Sequence, residues 1–147
     1  MAKSTVSDAA AAMLGDYNCA QAVLASCGET FGLARKTAIS VAQTLGGGVA
    51  GTGNVCGAVT GALMVIGLKH SIAEGFDAAI KEKATQLGQE FISRFKARHG
   101  TILCRELVGC DLLTREDRAR AKPVTASICP GLVRDAAGMV NELLAED

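Results

Sequence analysis

No proline interrupts the first 122 residues of this 147-residue chain; the only two are Pro123 and Pro130. Proline is the strongest helix breaker and alanine the best helix former. Alanine is abundant here, and apolar residues recur at helical spacing along most of the chain. No period-two alternation marks a strand, and no repeat, linker or low-complexity segment divides the sequence. The expectation is an all-α, single-domain multi-helix bundle over residues 1–147. A chain of this length can bury a core without staples.

The elements read as follows. An Ala-rich helix covers residues 7–14. A second runs from Tyr17 to Thr30 with Ala20, Val23, Leu24 and Cys27 on one face, ended by Gly28 and Gly32. A third spans Ala34 to Leu45 and stops at Gly46-Gly47-Gly48. A fourth starts after Asn54 and reaches Lys69. The longest, Phe76 to Arg98, carries an apolar stripe of Ala79, Ala84, Leu87, Phe91, Ile92 and Phe95. A short helix follows Thr101. "TREDRARAKP" reads as a surface helical turn or a loop, and the last helix starts at Pro130 and ends near Leu144.

Lys plus Arg number 15 and Asp plus Glu 15, so the formal charge is zero and nothing electrostatic points to nucleic acid or anionic lipid. Aromatics make up 3% with no Trp, which removes base-stacking platforms as well. The N-terminal "MAKSTVSDAAAAML" lacks the continuous apolar run of a secretory signal, because Asp8 falls beside its only apolar patch. It reads as a mature cytoplasmic N-terminus.

Residues 44–68 contain no charge, long enough in principle to span a bilayer. Glycines cluster at the head of that run and mark a turn, leaving a helix from Cys56 to Leu68 that is too short to span. No membrane span is expected. Gly46 to Gly51 satisfies G-x-G-x-x-G, but a helical pattern precedes it where the dinucleotide fingerprint needs a strand, so a nucleotide role is set aside. Gly57 and Gly61, with Ala58 and Ala62, instead allow close helix packing.

Six cysteines are many for a chain without a secretory signal, which favours metal, cluster or redox chemistry over a disulfide framework. Cys19 follows Asp16 and Asn18, Cys56 follows Asn54, Cys104 follows Thr101, and Cys129 precedes Pro130. Each reads as the start of a helix. Cys27 and Cys110 do not. Helix N-termini offer unpaired N–H groups and partial positive charge, which favour thiolate. The four are 37, 48 and 25 residues apart, and no C-x-x-C occurs, which argues against thioredoxin-type pairs and zinc ribbons.

"NCAQAV", "CGAVTGALMVIGLK", "CRELVGCDL" and "CPGLVRDAA" together resemble the C_GCAxxG_C_C family of redox-active proteins. The resemblance runs from about Asn18 to Ala137. It implies four family cysteines, Cys19, Cys56, Cys104 and Cys129, with Cys56 to Gly61 as the CGAxxG motif. Cys27 and Cys110 fall outside that pattern. The resemblance implies redox activity without naming a reaction.

The candidate catalytic and ligating set is therefore Cys19, Cys56, Cys104 and Cys129. Gly57 beside Cys56 and Arg105 beside Cys104 are candidate cofactor contacts. Arg134 is either a thiolate partner or a surface ion-pair member. Asp111 and Asp135 are second-shell acceptors or helix-end charges. His70 and His99 read as helix-end cations rather than ligands. The first reading is an iron–sulfur cluster, most simply [2Fe–2S], for electron transfer with a partner protein. Four cysteines in equivalent positions suit four ligands better than an attacker and a resolver. The second reading is a thiol–disulfide or sulfur-handling enzyme on the same cysteines. The third is a structural zinc site. The Ala-rich first helix packs either on its own domain or on a second copy of the chain, as in a homo-oligomer.

Overall fold

The computed structural model describes residues 5–71 and 75–147. Residues 1–4 of the N-terminal stretch read above lie outside the described residues. Seven α-helices and no strand occur among those described: α1 Val6–Ala12, α2 Cys19–Gly28, α3 Arg35–Val41, α4 Gly57–Lys69, α5 Ala78–His99, α6 Cys104–Val108 and α7 Arg115–Glu146. One 3-10 turn, Glu29–Phe31, follows α2. The fold is all-α, as expected.

Helix starts follow local chemistry. Thr5, Asn18 and Thr114 close capping boxes with Asp8, Gln21 and Asp117, and the Asp77 carboxylate accepts from the Ala79 and Ile80 amides. Each satisfies N–H groups that no carbonyl within the helix can reach. Gly100 and Gly109 end α5 and α6 in left-handed conformations.

The centre of the bundle is the α2–α4 pair. A Cβ on Gly57 would stand 2.8 Å from the Ala20 backbone nitrogen, and one on Gly61 would stand 3.0 Å from the Ala20 carbonyl oxygen. The two glycines let the backbones approach to this distance. Around the pair, the fully buried Val23, Leu24, Val59, Val65, Ile66, Phe91, Phe95, Val133 and Val140 form the main core. Burying each such side chain contributes about 1.5–3 kcal/mol. A smaller cluster of Cys104, Val108, Leu112 and Ala121 lies apart from it.

The helix α1 packs on its own domain. Ala10 is fully buried, and Asp8 pairs with Arg134 of α7 at 3.2 Å. The uncharged run of residues 44–68 splits, as read, into a glycine loop and the 13-residue α4. No helix among the described residues is long and apolar enough to cross a membrane.

Two boundaries differ from the sequence reading. α3 ends at Val41, and turns occupy the chain from there to Asn54. The last helix starts not at Pro130 but at Arg115, capped by Thr114, and runs 32 residues through both prolines. A proline in a helix interior leaves the carbonyl four residues earlier without its donor. Here those carbonyls belong to Ala119 and Ala126, both exposed residues outside the packed core.

Candidate functional site

Cys19, Cys56, Cys104 and Cys129 line one cavity of about 450 Å³. Gly47, Gly48 and Gly57 form part of its wall, Leu14, Leu107 and Leu112 supply apolar surface, and Arg118 and Lys122 stand at its edge. All six cysteines of the chain are free thiols.

Each cysteine is held by its own local structure. Cys19 is the first residue of α2, directly after the Asn18 cap. The Asn18 side chain also donates to the Ala42 and Gln43 carbonyls, both at 3.1 Å, which ties the start of α2 to the end of α3. Gln21, the one polar side chain buried in the core, donates to the Ile39 carbonyl and to Gln43 Oε1, each at 2.8 Å. It accepts from the Asn18 amide, so this corner is fully hydrogen-bonded.

Cys56 and Cys104 are brought together by a short antiparallel pairing of residues 53–56 with 102–105. The Cys56 amide donates to the Ile102 carbonyl at 2.8 Å, the Cys104 amide to Asn54 at 2.7 Å, and the Arg105 amide to Gly53 at 3.1 Å. Cys56 is the N-cap residue of α4, and Cys104 opens α6 after Leu103. Thr101 is not the cap of α6; its hydroxyl accepts from the Leu103 amide instead.

Cys129 departs from the sequence reading. It lies in the interior of α7, one residue before Pro130, so a helix N-terminus does not act on it. Three of the four cysteines are at helix starts, and the fourth comes from the side of a long helix.

The electrostatics also correct an expectation. Burial pushes the Cys56 thiol up to about 11, against a smaller downward pull from the Ala58 and Val59 amides, which close no cap hydrogen bond. Burial first, then the neighbouring sulfurs of Cys56, Cys129 and Cys110, pushes Cys104 up to about 12. Desolvation therefore outweighs the helix ends. Cys19 and Cys129 lie within hydrogen-bonding reach of each other. The Cys19 thiol donates, which raises its own pKa well above the usual value, with burial and the other three sulfurs adding to the rise. The same bond lowers that of Cys129 against its burial. Cys129 alone of the four is pulled toward thiolate, and its cause is a thiol neighbour rather than a helix dipole.

The four thiols thus share one environment: Cys129 bears on Cys19, Cys56 and Cys104 alike, and the backbone pairing holds Cys56 beside Cys104. Among the described residues no three His, Cys, Asp or Glu side chains converge as a single-ion site requires.

The other candidates fall into place individually. Gly57 lines the cavity, and a Cβ there would meet Cys19 Cβ at 3.2 Å. Arg105 does not face the thiols; it donates to the Thr52 carbonyl at 2.8 Å and the Gly53 carbonyl at 3.3 Å, and lines a second cavity with Asp111 and Cys110. Its guanidinium is used to hold the glycine loop. Arg134 is in its surface pair with Asp8. Asp135, inside α7, contacts Arg98 Nε and His99 Nε2, each at 3.0 Å, and His70 contacts Asp147; the two histidines stand at the ends of α5 and α4, away from the thiols. Cys27 is buried in the main core, 3% exposed, with its thiol against the Ala137 carbonyl and pushed by burial to about 12. Sequence reasoning missed Gly47, Gly48 and Arg118 as cavity residues. The triple glycine carried the signal, but along the chain it reads as a helix stop, a turn and a dinucleotide match without its context.

Residues 17–143 match the family described as "Putative redox-active protein (C_GCAxxG_C_C)", and the chain belongs to it. No curated protein and no solved structure matches the chain.

Proposed function

We propose that this member of the redox-active C_GCAxxG_C_C family uses Cys19, Cys56, Cys104 and Cys129 to hold an iron–sulfur cluster for electron transfer. The observation that carries this reading is that four thiols, from the starts of α2, α4 and α6 and the side of α7, line one cavity. Four thiolates suit a [2Fe–2S] cluster, whereas among the described residues no three ligands converge as one zinc ion requires. The four cysteines would hold the cluster. The bound cluster supplies one-electron transfer.

The chain's own residues do the rest. The 53–56/102–105 pairing holds Cys56 beside Cys104. The Asn18 cap and its tether to α3 fix Cys19. Burial at Cys56 and Cys104, and the bond to Cys129 at Cys19, hold these three thiols protonated until a cation replaces their protons.

Anaerobic purification, a visible spectrum, and iron and acid-labile sulfide assays test the reading. Equal iron and sulfide in the parent, lost in Cys56→Ser, is the expected result. No iron, no sulfide and titratable free thiols would overturn it.

One observation favours a second reading. The Cys19–Cys129 pair is asymmetric, with one thiol raised and its neighbour lowered, as an attacking and a resolving thiol require. In that case Cys129 thiolate attacks a disulfide substrate and releases one thiolate. Cys19 then displaces the second, leaving a Cys19–Cys129 disulfide. A mobility shift with a thiol-reactive polymer, lost after mild oxidation, distinguishes this reading.

A further inference from the structure

The glycine loop beside the cysteines is left-handed for five successive residues, with φ of 64° at Gly47, 70° at Gly48, 66° at Val49, 53° at Ala50 and 76° at Gly51. A β-branched residue in that region is an outlier that surrounding structure must hold in place. The hold is visible. The amides of Val49, Ala50, Gly51, Thr52, Gly53 and Asn54 all donate to carbonyls within residues 44–49, and the Thr52 hydroxyl donates to Gly48 at 2.9 Å. Arg105 grips the Thr52 and Gly53 carbonyls from outside.

The preceding amides differ. Among the described residues, the successive amides of Gly46, Gly47 and Gly48, like that of Thr44, donate to no acceptor. Gly47, half-buried, and Gly48, buried, line the four-cysteine cavity. Successive amides in such a turn form a concavity that binds anions, including the sulfur of iron–sulfur sites. Cys56 and Cys104, 3% and 7% exposed, line the same cavity. The loop is also keyed to that cavity. A Cβ on Gly48 would lie 2.6 Å from Cys104 Cβ and 2.7 Å from the Asn54 backbone.

We propose that the Gly47 and Gly48 amides form an anion cradle that donates hydrogen bonds to the sulfur of the iron–sulfur centre proposed above, a reading on which this inference rests. Such donors stabilise the more negative, reduced state and so raise the potential of the centre.

The test is pulsed EPR on the reduced, cluster-loaded protein grown with ¹⁵N-glycine. Weak peptide ¹⁵N couplings are expected in the parent. Asparagine tolerates the left-handed region, but its Cβ at position 47 would stand 2.9 Å from Gly51 Cα, so the loop must yield. Gly47→Asn removes the glycine label, so one coupling should disappear, and growing the variant with ¹⁵N-asparagine should return the coupling from the new amide. A loaded protein without glycine couplings, or an unchanged pattern in Gly47→Asn, overturns the cradle and leaves the cluster standing. A protein that takes up no iron and sulfide overturns both.

Discussion

The substitution Gly→Ala should act with opposite sign at two positions of the same helix. Gly67 is in α4, and nothing lies within 4 Å of a Cβ built there. Replacing it removes the entropy cost of glycine in a helix and should stabilise by about 0.5–1 kcal/mol. Gly57 is ten residues earlier, at the start of the helix. Its new Cβ would be 2.8 Å from the Ala20 nitrogen and 3.2 Å from the Leu45 carbonyl oxygen. Both are backbone atoms and cannot rotate away, so α2 and α4 must move apart. Overpacking of this kind costs about 1–3 kcal/mol. The two variants should therefore differ by about 1.5–4 kcal/mol, or roughly 3–16 °C in melting temperature for a chain of this size. Denaturant unfolding followed by circular dichroism measures both. Equal stability of Gly57→Ala and Gly67→Ala would show that α2 and α4 do not need the close approach. Because Cys19 Cβ is also 3.2 Å from the new methyl, Gly57→Ala should further lower iron loading, whereas Gly67→Ala should not.

Alkaline pH should weaken the apoprotein through its buried thiols. Cys27, Cys56 and Cys104 are raised from the ordinary 9 to about 12, 11 and 12, so the folded state keeps protons that the unfolded state loses. Their stabilisation is complete below pH 9 and falls away up to pH 11–12, at about 1.4 kcal/mol per pH unit per thiol. The denaturation midpoint should drop more gently above pH 9 in Cys27→Ala; an identical slope would refute the assignment. Alkylation at neutral pH should reach Cys129 before Cys56 and Cys104, read by peptide mass spectrometry, and Cys27 should react only at the rate of global unfolding. Thr114→Ala removes the hydroxyl that accepts from the Asp117 amide, while the residue-114 amide still donates to the Asp117 carboxylate; it should cost about 1 kcal/mol, with faster amide exchange at the start of α7. Pro130→Ala returns a donor to the Ala126 carbonyl and should stabilise α7 by up to about 3 kcal/mol while displacing Cys129. Expected are a higher midpoint and lower iron loading. A lower midpoint would mean that the packing around residue 130 requires the proline.

The helical fold was legible because its signals are local. Alanine, helical periodicity and caps such as Asn18 and Asp77 act within one or two turns. The start of α7 was also written locally, as Thr114 and Asp117. Two prolines outweighed that signal in the sequence reading, because their cost depends on whether the freed carbonyls meet water. Cavity membership was legible for the four cysteines from their spacing and the family blocks. Their protonation was not. Helix-end effects can be read along the chain, but desolvation arises only once α2, α4, α6 and α7 close around the sulfurs. The partner of Arg105 was hidden for the same reason: the Thr52 and Gly53 carbonyls become available only through left-handed backbone at Gly51 and Gly53.

Helix α7 is about 48 Å long at 1.5 Å per residue, and its two halves are anchored unequally. After Pro130, Leu132, Val133, Ala136, Ala137, Val140, Leu143 and Leu144 are buried; before it, only Ala121 is. The front half rests on the small cluster with Cys104, Val108 and Leu112 rather than on the main core. Few buried contacts make a separate opening unit, and the helix already lacks a hydrogen bond where that unit would swing. The wall that α7 gives to the cavity is therefore mainly its weakly buried half, and opening that half would expose far less apolar surface than unfolding the bundle.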